Sequence, residues 1–153
     1  MTAQSGEGTL ELFREKFRLN SLTICQTLHW VWSLRPAQLT LGSSVLSLKR
    51  HAARFGEVSA AESEDLHNAV ALLEATCRRI WEPDRFNYLM LMMVDEHVHF
   101  HVVPRYSRPR LLASREWVDD AYPSLPVLAA SPTDEATLAG IRALLQSAAA
   151  APA

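Results

Sequence analysis

Three of the chain's six histidines stand at alternate positions in the run His97-Val98-His99-Phe100-His101-Val102-Val103-Pro104-Arg105. Imidazole is the side chain whose ordinary pKa lies nearest neutrality, so such a row can move protons, attack an electrophile or bind a metal. In an extended strand successive side chains point to opposite faces. The three rings therefore share one face, and Val98, Phe100 and Val102 share the other. The apolar set anchors the strand in a core and holds the histidines rigidly. A surface strand that merely uses histidine as its polar residue would show the same alternation, but three coincidences in register make that the weaker reading.

Neighbouring rings on such a face stand about 6.6 Å apart at the backbone, two residues of about 3.3 Å rise each. Two of them could share a metal with His51, Asp95 or Glu96 as a third ligand. No second His-x-His pair or well-spaced carboxylate accompanies them, so a site without metal is favoured. There, His99 is a neutral nucleophile for phosphorus, flanked by groups able to donate to phosphate oxygens. A phosphoanhydride or phosphoramidate would be split in two steps through a phosphohistidine. His101, a backbone amide or a helix N-terminus could stabilise the phosphoryl oxygens, and His101 could protonate the leaving group.

The elements that must position this strand are legible in outline. Met1 to Gly8 is small and polar and is expected to be disordered. Leu10, Phe13 and Phe17 predict a short amphipathic helix. Leu22 to Ser33 alternates as one long strand, with Leu22, Ile24, Leu28, Trp30 and Trp32 on its heavy face and His29 on the outer one. A second strand is expected from about Leu39 to Lys49, interrupted at Gly42-Ser43-Ser44. The Lys49-Arg50-His51 end of that strand could receive a phosphate or simply be solvated. Ser59 and Glu62 form a capping box for a helix whose stripe is Leu66, Ala69, Val70, Leu73, Cys77, Ile80 and Trp81, with Pro83 as its stop. His67 falls off that stripe.

Phe86 to Val94 reads as a strand covered on both faces, with Met90, Met92 and Met93 as core. Asp95-Glu96 leaves only a tight connection to the histidine strand, so the two should be antiparallel neighbours. Beyond Tyr106, prolines punctuate a loop packed over the domain. Ser131 then caps a last helix with Leu138, Ile141 and Leu145 on its apolar face. Strands, one long helix and further strands make an α+β chain with a mainly antiparallel sheet. No repeat or linker divides residues 1–153, which read as one domain with a core at about 22–106 and a C-terminal loop and helix at 107–153.

A formal net charge of −2 gives no footprint for nucleic acid or an anionic membrane. No apolar run is long enough to span a bilayer. Cys25 and Cys77 form no metal or redox spacing, and reduced thiols in the cytoplasm are the expectation.

The run from His97 to Val103 matches the His-apolar-His-apolar-His-apolar-apolar motif of the histidine-triad (HIT) family at every position, and Pro104-Arg105 is also typical of it. Gly42, nine residues before His51, resembles the family's Gly-His-x-Leu-Val-x-Pro-Lys-x-His segment. The resemblance covers about residues 22–106. It implies a HIT-like, about five-stranded sheet with helices on one side, and a homodimer that joins two sheets. It implies release or transfer of a nucleoside monophosphate, commonly AMP, from dinucleoside polyphosphates or nucleoside phosphoramidates, with no cofactor and no metal in the covalent step.

By that resemblance His99 is the nucleophile and His101 meets phosphate or the leaving group. The carbonyl of His97 orients the His99 ring, and His51 supports the site. Lys49, Ser43 and Arg105 are candidates for nucleotide or phosphate binding, and Trp30, Trp32 and Arg35 are positional guesses for base and ribose. Three departures stand out. Ser43 replaces a nucleotide-contacting histidine, Leu48 replaces a proline, and Met92 to Glu96 replaces the Gly-Gln-Ser/Thr-Val loop that holds phosphate. A non-catalytic nucleotide-binding protein is therefore the alternative, with a histidine-ligated metalloprotein third.

Overall fold

The computed structural model describes residues 3–152, with side chains from Gly6 to Pro152. Five strands form one antiparallel sheet: β1 (Thr23–Gln26), β2 (Trp30–Leu34), β3 (Ser44–Leu48), β4 (Arg85–Leu89) and β5 (His99–Arg105), in the order β1-β2-β3-β5-β4. Four helices accompany it: α1 (Ala3–Lys16), α2 (Leu19–Leu22), α3 (Ala60–Trp81) and α4 (Glu135–Ala150). A hairpin of β6 (Arg110–Leu112) and β7 (Arg115–Trp117) follows the histidine strand.

The register decides which residues share a face. Val31, Ser47 and His99 are cross-strand partners, as are Ser33, Val45 and His101. The alternate rows run Trp32-Leu46-Phe100 and Leu34-Ser44-Val102. The second set meets Leu73, Cys77 and Trp81 of α3 and Leu138, Ile141 and Leu145 of α4 in the main core. α3 starts at the expected capping box, Ser59 accepting from the Glu62 amide while the Glu62 carboxylate accepts from the Ser59 amide. It stops at Glu82, in the left-handed region just before Pro83. Leu138, Ile141 and Leu145 are the buried face of α4, as their spacing predicts.

Several expectations change. Residues 3–8, expected to be disordered, belong to α1; Met1 and Thr2 lie outside the described residues. The single strand expected over 22–33 is a hairpin, β1 and β2. Its turn is held from outside, where the Asp65 carboxylate accepts from the Thr27 hydroxyl and the His29 amide. His29 sits in that turn, and Leu28 is 76% exposed. The second strand begins only at Ser44. Residues 39–43 form a turn in which Gly42 has φ +85° and a Cβ would meet the Trp81 ring at 2.8 Å.

β4 ends at Leu89, opposite His101, and the chain uses Met90 to Val98 to return to the sheet. Met90 and Met92 pack on the core, but Met93 is 90% exposed. The connection is therefore longer than Asp95-Glu96, although β4 and β5 are antiparallel neighbours as expected. The loop expected after Tyr106 contains the β6–β7 hairpin, turned at Ala113 and Ser114, both with positive φ. Asp134, not Ser131, caps α4, its carboxylate accepting from the Thr137 amide. Helices also lie on both sides of the sheet. α3 and α4 cover one face, while Phe13 of α1 and Phe17, just past its end, pack with Leu19, Val31 and Val45 on the other.

Candidate active site

β5 presents the imidazoles of His99 and His101 on the face covered by α1, and His97 joins them from the residues just before the strand. His97 and His99 have no exposed surface. The His99 and His101 rings meet edge to face at 5.0 Å. His51, after β3, stacks on His97 at 5.8 Å and donates from Nε2 to the Glu96 carbonyl at 3.1 Å. The four histidines are thus brought together as their sequence pattern and the resemblance suggested.

Carbonyl oxygens only accept, and this fixes two tautomers. His99 Nδ1 is 2.6 Å from the His97 carbonyl, so Nδ1 carries the hydrogen and Nε2 keeps a free lone pair. His97 Nε2 donates to the Leu48 carbonyl at 2.9 Å. Burial pushes the pKa of all three triad histidines down, to about 4 for His97 and His101. All three are consequently neutral at pH 7. A neutral His99 with an unshared Nε2 pair is a nitrogen nucleophile.

The cover over these rings is aromatic. The Phe13 centroid lies 4.8 Å from that of His97 and 5.0 Å from that of His99. Phe17 lies 5.8 Å from His99 and 5.7 Å from His101. At the other end of α1, a Cβ on Gly6 would stand 2.8 Å from His51 Nδ1, so the helix backbone rests directly on that ring. Beneath this cover Ser47 Oγ, His97 Nδ1, His99 Nε2 and His101 Nδ1 are buried without a hydrogen-bond partner among the described residues. Lys16, at the end of α1, holds both oxygens of Asp95 at 2.7 and 2.8 Å. Both charges reach His99 and His101, Asp95 raising their pKa and Lys16 lowering it.

The remaining candidates are occupied elsewhere. The Lys49 ammonium donates to the Thr27 carbonyl at the β1–β2 turn, and Arg14 of α1 donates to the Lys49 carbonyl. Ser43 is buried in a turn with Thr40. Arg105, four residues beyond His101, is buried in a two-bond ion pair with Asp119 and also donates to Asn87. None of the three side chains is brought to the imidazole cluster. Trp30 and Trp32 lie on the opposite face, Trp30 donating from its indole to the Glu62 carbonyl. Arg35 is nearer, its charge being one reason for the low pKa of His101. Among the described residues no three His, Cys, Asp or Glu side chains converge as metal ligands would.

Sequence reasoning missed Phe13, Lys16 and Phe17 as parts of the site. Their spacing marks a helix stripe, but nothing local says that the stripe covers the histidines.

Solved structures share this five-stranded antiparallel fold. A histidine triad protein from Marinobacter aquaeolei superposes with a TM-score of 0.69 at 17% identity, covering 88% of this chain and 92% of that one. A hypothetical histidine triad nucleotide-binding protein from Sulfolobus tokodaii gives 0.68 at 13% identity, covering 93% and 91%. A histidine triad protein from Sinorhizobium meliloti gives 0.67 at 18% identity, covering 85% and 92%. No family model matches the chain, and no curated protein sequence does. The chain has the histidine-triad fold.

Proposed function

We propose that this protein is a histidine-triad nucleotidyl hydrolase or transferase working through His99. The observation that carries the reading is the hydrogen bond from His99 Nδ1 to the His97 carbonyl, which leaves Nε2 as an unprotonated nucleophile. In the first step Nε2 attacks the α-phosphorus of a bound nucleotide. The N–P bond forms, the bond from phosphorus to the leaving oxygen or nitrogen breaks, and His101 delivers a proton to the leaving group. The negative charge of a bound phosphate would raise the pKa of His101 and favour that proton. In the second step water attacks phosphorus and gives a proton to His101, which the first step left without it, the N–P bond breaks, and AMP leaves. No metal or cofactor enters either step.

A homodimer goes with this reading. β4 is one of the two outer strands of the sheet, and an outer strand offers unpaired backbone groups to a second copy. No described helix is long and apolar enough to cross a membrane. Burial pushes the Cys77 thiol up to about 12, which makes it inert as a nucleophile. We assign the protein to the cytoplasm.

One observation favours the non-catalytic alternative. The Met90–Val98 segment brings the Asp95 carboxylate, not a cradle of donors, near His99 and His101. Incubating wild type and His99→Ala with adenosine phosphoramidate and with diadenosine polyphosphates, without added metal, separates the two. AMP release by wild type that is lost in the variant is the expected result. Binding of AMP with no release by wild type would favour the alternative.

A further inference from the structure

We infer that α1 is a closing element over the histidine row, latched by the Lys16–Asp95 pair, and that a substrate phosphate opens it by replacing Asp95 on Lys16. The inference rests on the nucleotide reading for the identity of the anion but not for the latch itself.

Chemistry at His99 Nε2 requires a phosphorus atom within bonding reach, yet His99 is fully buried and the Phe13 and Phe17 rings pack against it, 5.0 and 5.8 Å away. α1 must therefore move, or stay closed when no substrate is present. The chain is built to let it. Arg18 has φ 54° and ψ 42°, a left-handed break between α1 and α2. From Arg18 onward the chain is fastened. Arg18 makes a two-bond ion pair with Glu135 at the start of α4, and Leu19 and Leu22 are buried. Before Arg18, α1 is held by Leu10 and Phe13, by Phe17 just past its end, by Arg14 on the Lys49 carbonyl, and by Lys16 on Asp95. The side chains that seal the site are thus the ones that hold the helix.

Lys16 and Asp95 give this closure a trigger. They face each other at the rim, where both act electrostatically on His99 and His101. Closed, the carboxylate neutralises the ammonium. A phosphate monoester such as AMP, or a polyphosphate chain, carries more charge than one carboxylate, so it competes for Lys16 and repels Asp95. The carboxylate that looked unfavourable beside a phosphate becomes the group that the phosphate displaces. Lys16 then serves as a positioning residue, supplying a cation where the Met92–Glu96 segment has no glycine or glutamine.

The test uses the full chain with AMP as the probe. Hydrogen exchange is followed along α1 in wild type, Asp95→Asn and Lys16→Arg, and AMP affinity is measured for these and for Lys16→Gln. Asp95→Asn should speed exchange in α1 by about fivefold, the upper end for a partly exposed ion pair. Exchange in the sheet should not change, and Lys16→Arg should stay near wild type. AMP affinity should rise about threefold in Asp95→Asn and fall about tenfold in Lys16→Gln, with Lys16→Arg restoring most of it. A pair that merely braces the fold would weaken binding in both single variants, and that result overturns the trigger. Unchanged exchange in Asp95→Asn overturns the latch even if AMP binds. Faster exchange with no AMP binding by any form overturns the nucleotide reading, and the role of Lys16 with it.

Discussion

The two faces of the sheet are both buried, but they are buried by different means. On the face under α3 and α4, tryptophan, leucine and valine meet leucine, isoleucine and cysteine; the Trp30 indole finds the Glu62 carbonyl, and only the Trp32 and Trp117 indole N–H groups lack a partner among the described residues of that cluster. Under α1, two phenylalanines lie on four polar atoms that lack partners among the described residues, and three imidazoles are held neutral by desolvation. Burying an unpaired polar atom costs about 1–3 kcal/mol, so closure of the second face gains less than its apolar area suggests. One face is built to stay shut. The other is built to open.

The contrast can be broken from either side. The largest effect is expected on the helix-packed face. Leu73→Ala should cost about 2–5 kcal/mol in denaturant unfolding, the ordinary range for a filled core, and leave histidine titration unchanged.

Next comes acidity, which should act through the α1 face. The triad histidines have folded pKa values below the ordinary 6.5, so the unfolded chain binds more protons between that value and about 4. Stability is then fully present above pH 6.5 and is lost as pH falls. Each histidine contributes a slope of at most about 1.4 kcal/mol per pH unit, and melts at stepped pH would read it. Glu62, held down to about 2 mainly by Arg50, keeps its own loss to a lower, separate range.

Phe17→Ala should cost only about 1–2 kcal/mol despite its near-complete burial, because it lets water reach the unpaired imidazoles. It should also flatten the acid slope, which a mere loss of packing would not do. The smallest effect belongs to Leu28→Ser in the β1–β2 turn, within about 0.5 kcal/mol of wild type, since that side chain is exposed.

How much of this was legible follows the reach of each signal. The histidine strand, the capping box at Ser59 and the stripes of α3 and α4 are local patterns, and the structure keeps them. The β1–β2 turn is held by Asp65, nearly forty residues away, so the alternation over 22–33 ran through it unmarked. The apolar run from Phe86 to Val94 looked like one strand because composition does not say where a partner strand begins. For the site, the His99–His97 contact was implied by the family resemblance, and the chain makes it. The cover was not legible. Phe13 and Phe17 report an apolar stripe, but their target lies some eighty residues on. Nor does the sequence alone show that Arg105 is consumed by Asp119 or that Lys16 neutralises Asp95.

Nucleophilic chemistry at His99 has a direct signature in the covalent intermediate. Wild-type protein mixed with adenosine phosphoramidate, quenched quickly under alkaline denaturing conditions that spare a phosphohistidine bond, would be examined by intact and peptide mass spectrometry. The expected result is a single nucleoside monophosphate adduct mapped to His99 and absent from His99→Ala. AMP release accompanied by an adduct on another residue, or an equal adduct in His99→Ala, would contradict the assignment of His99 as the nucleophile.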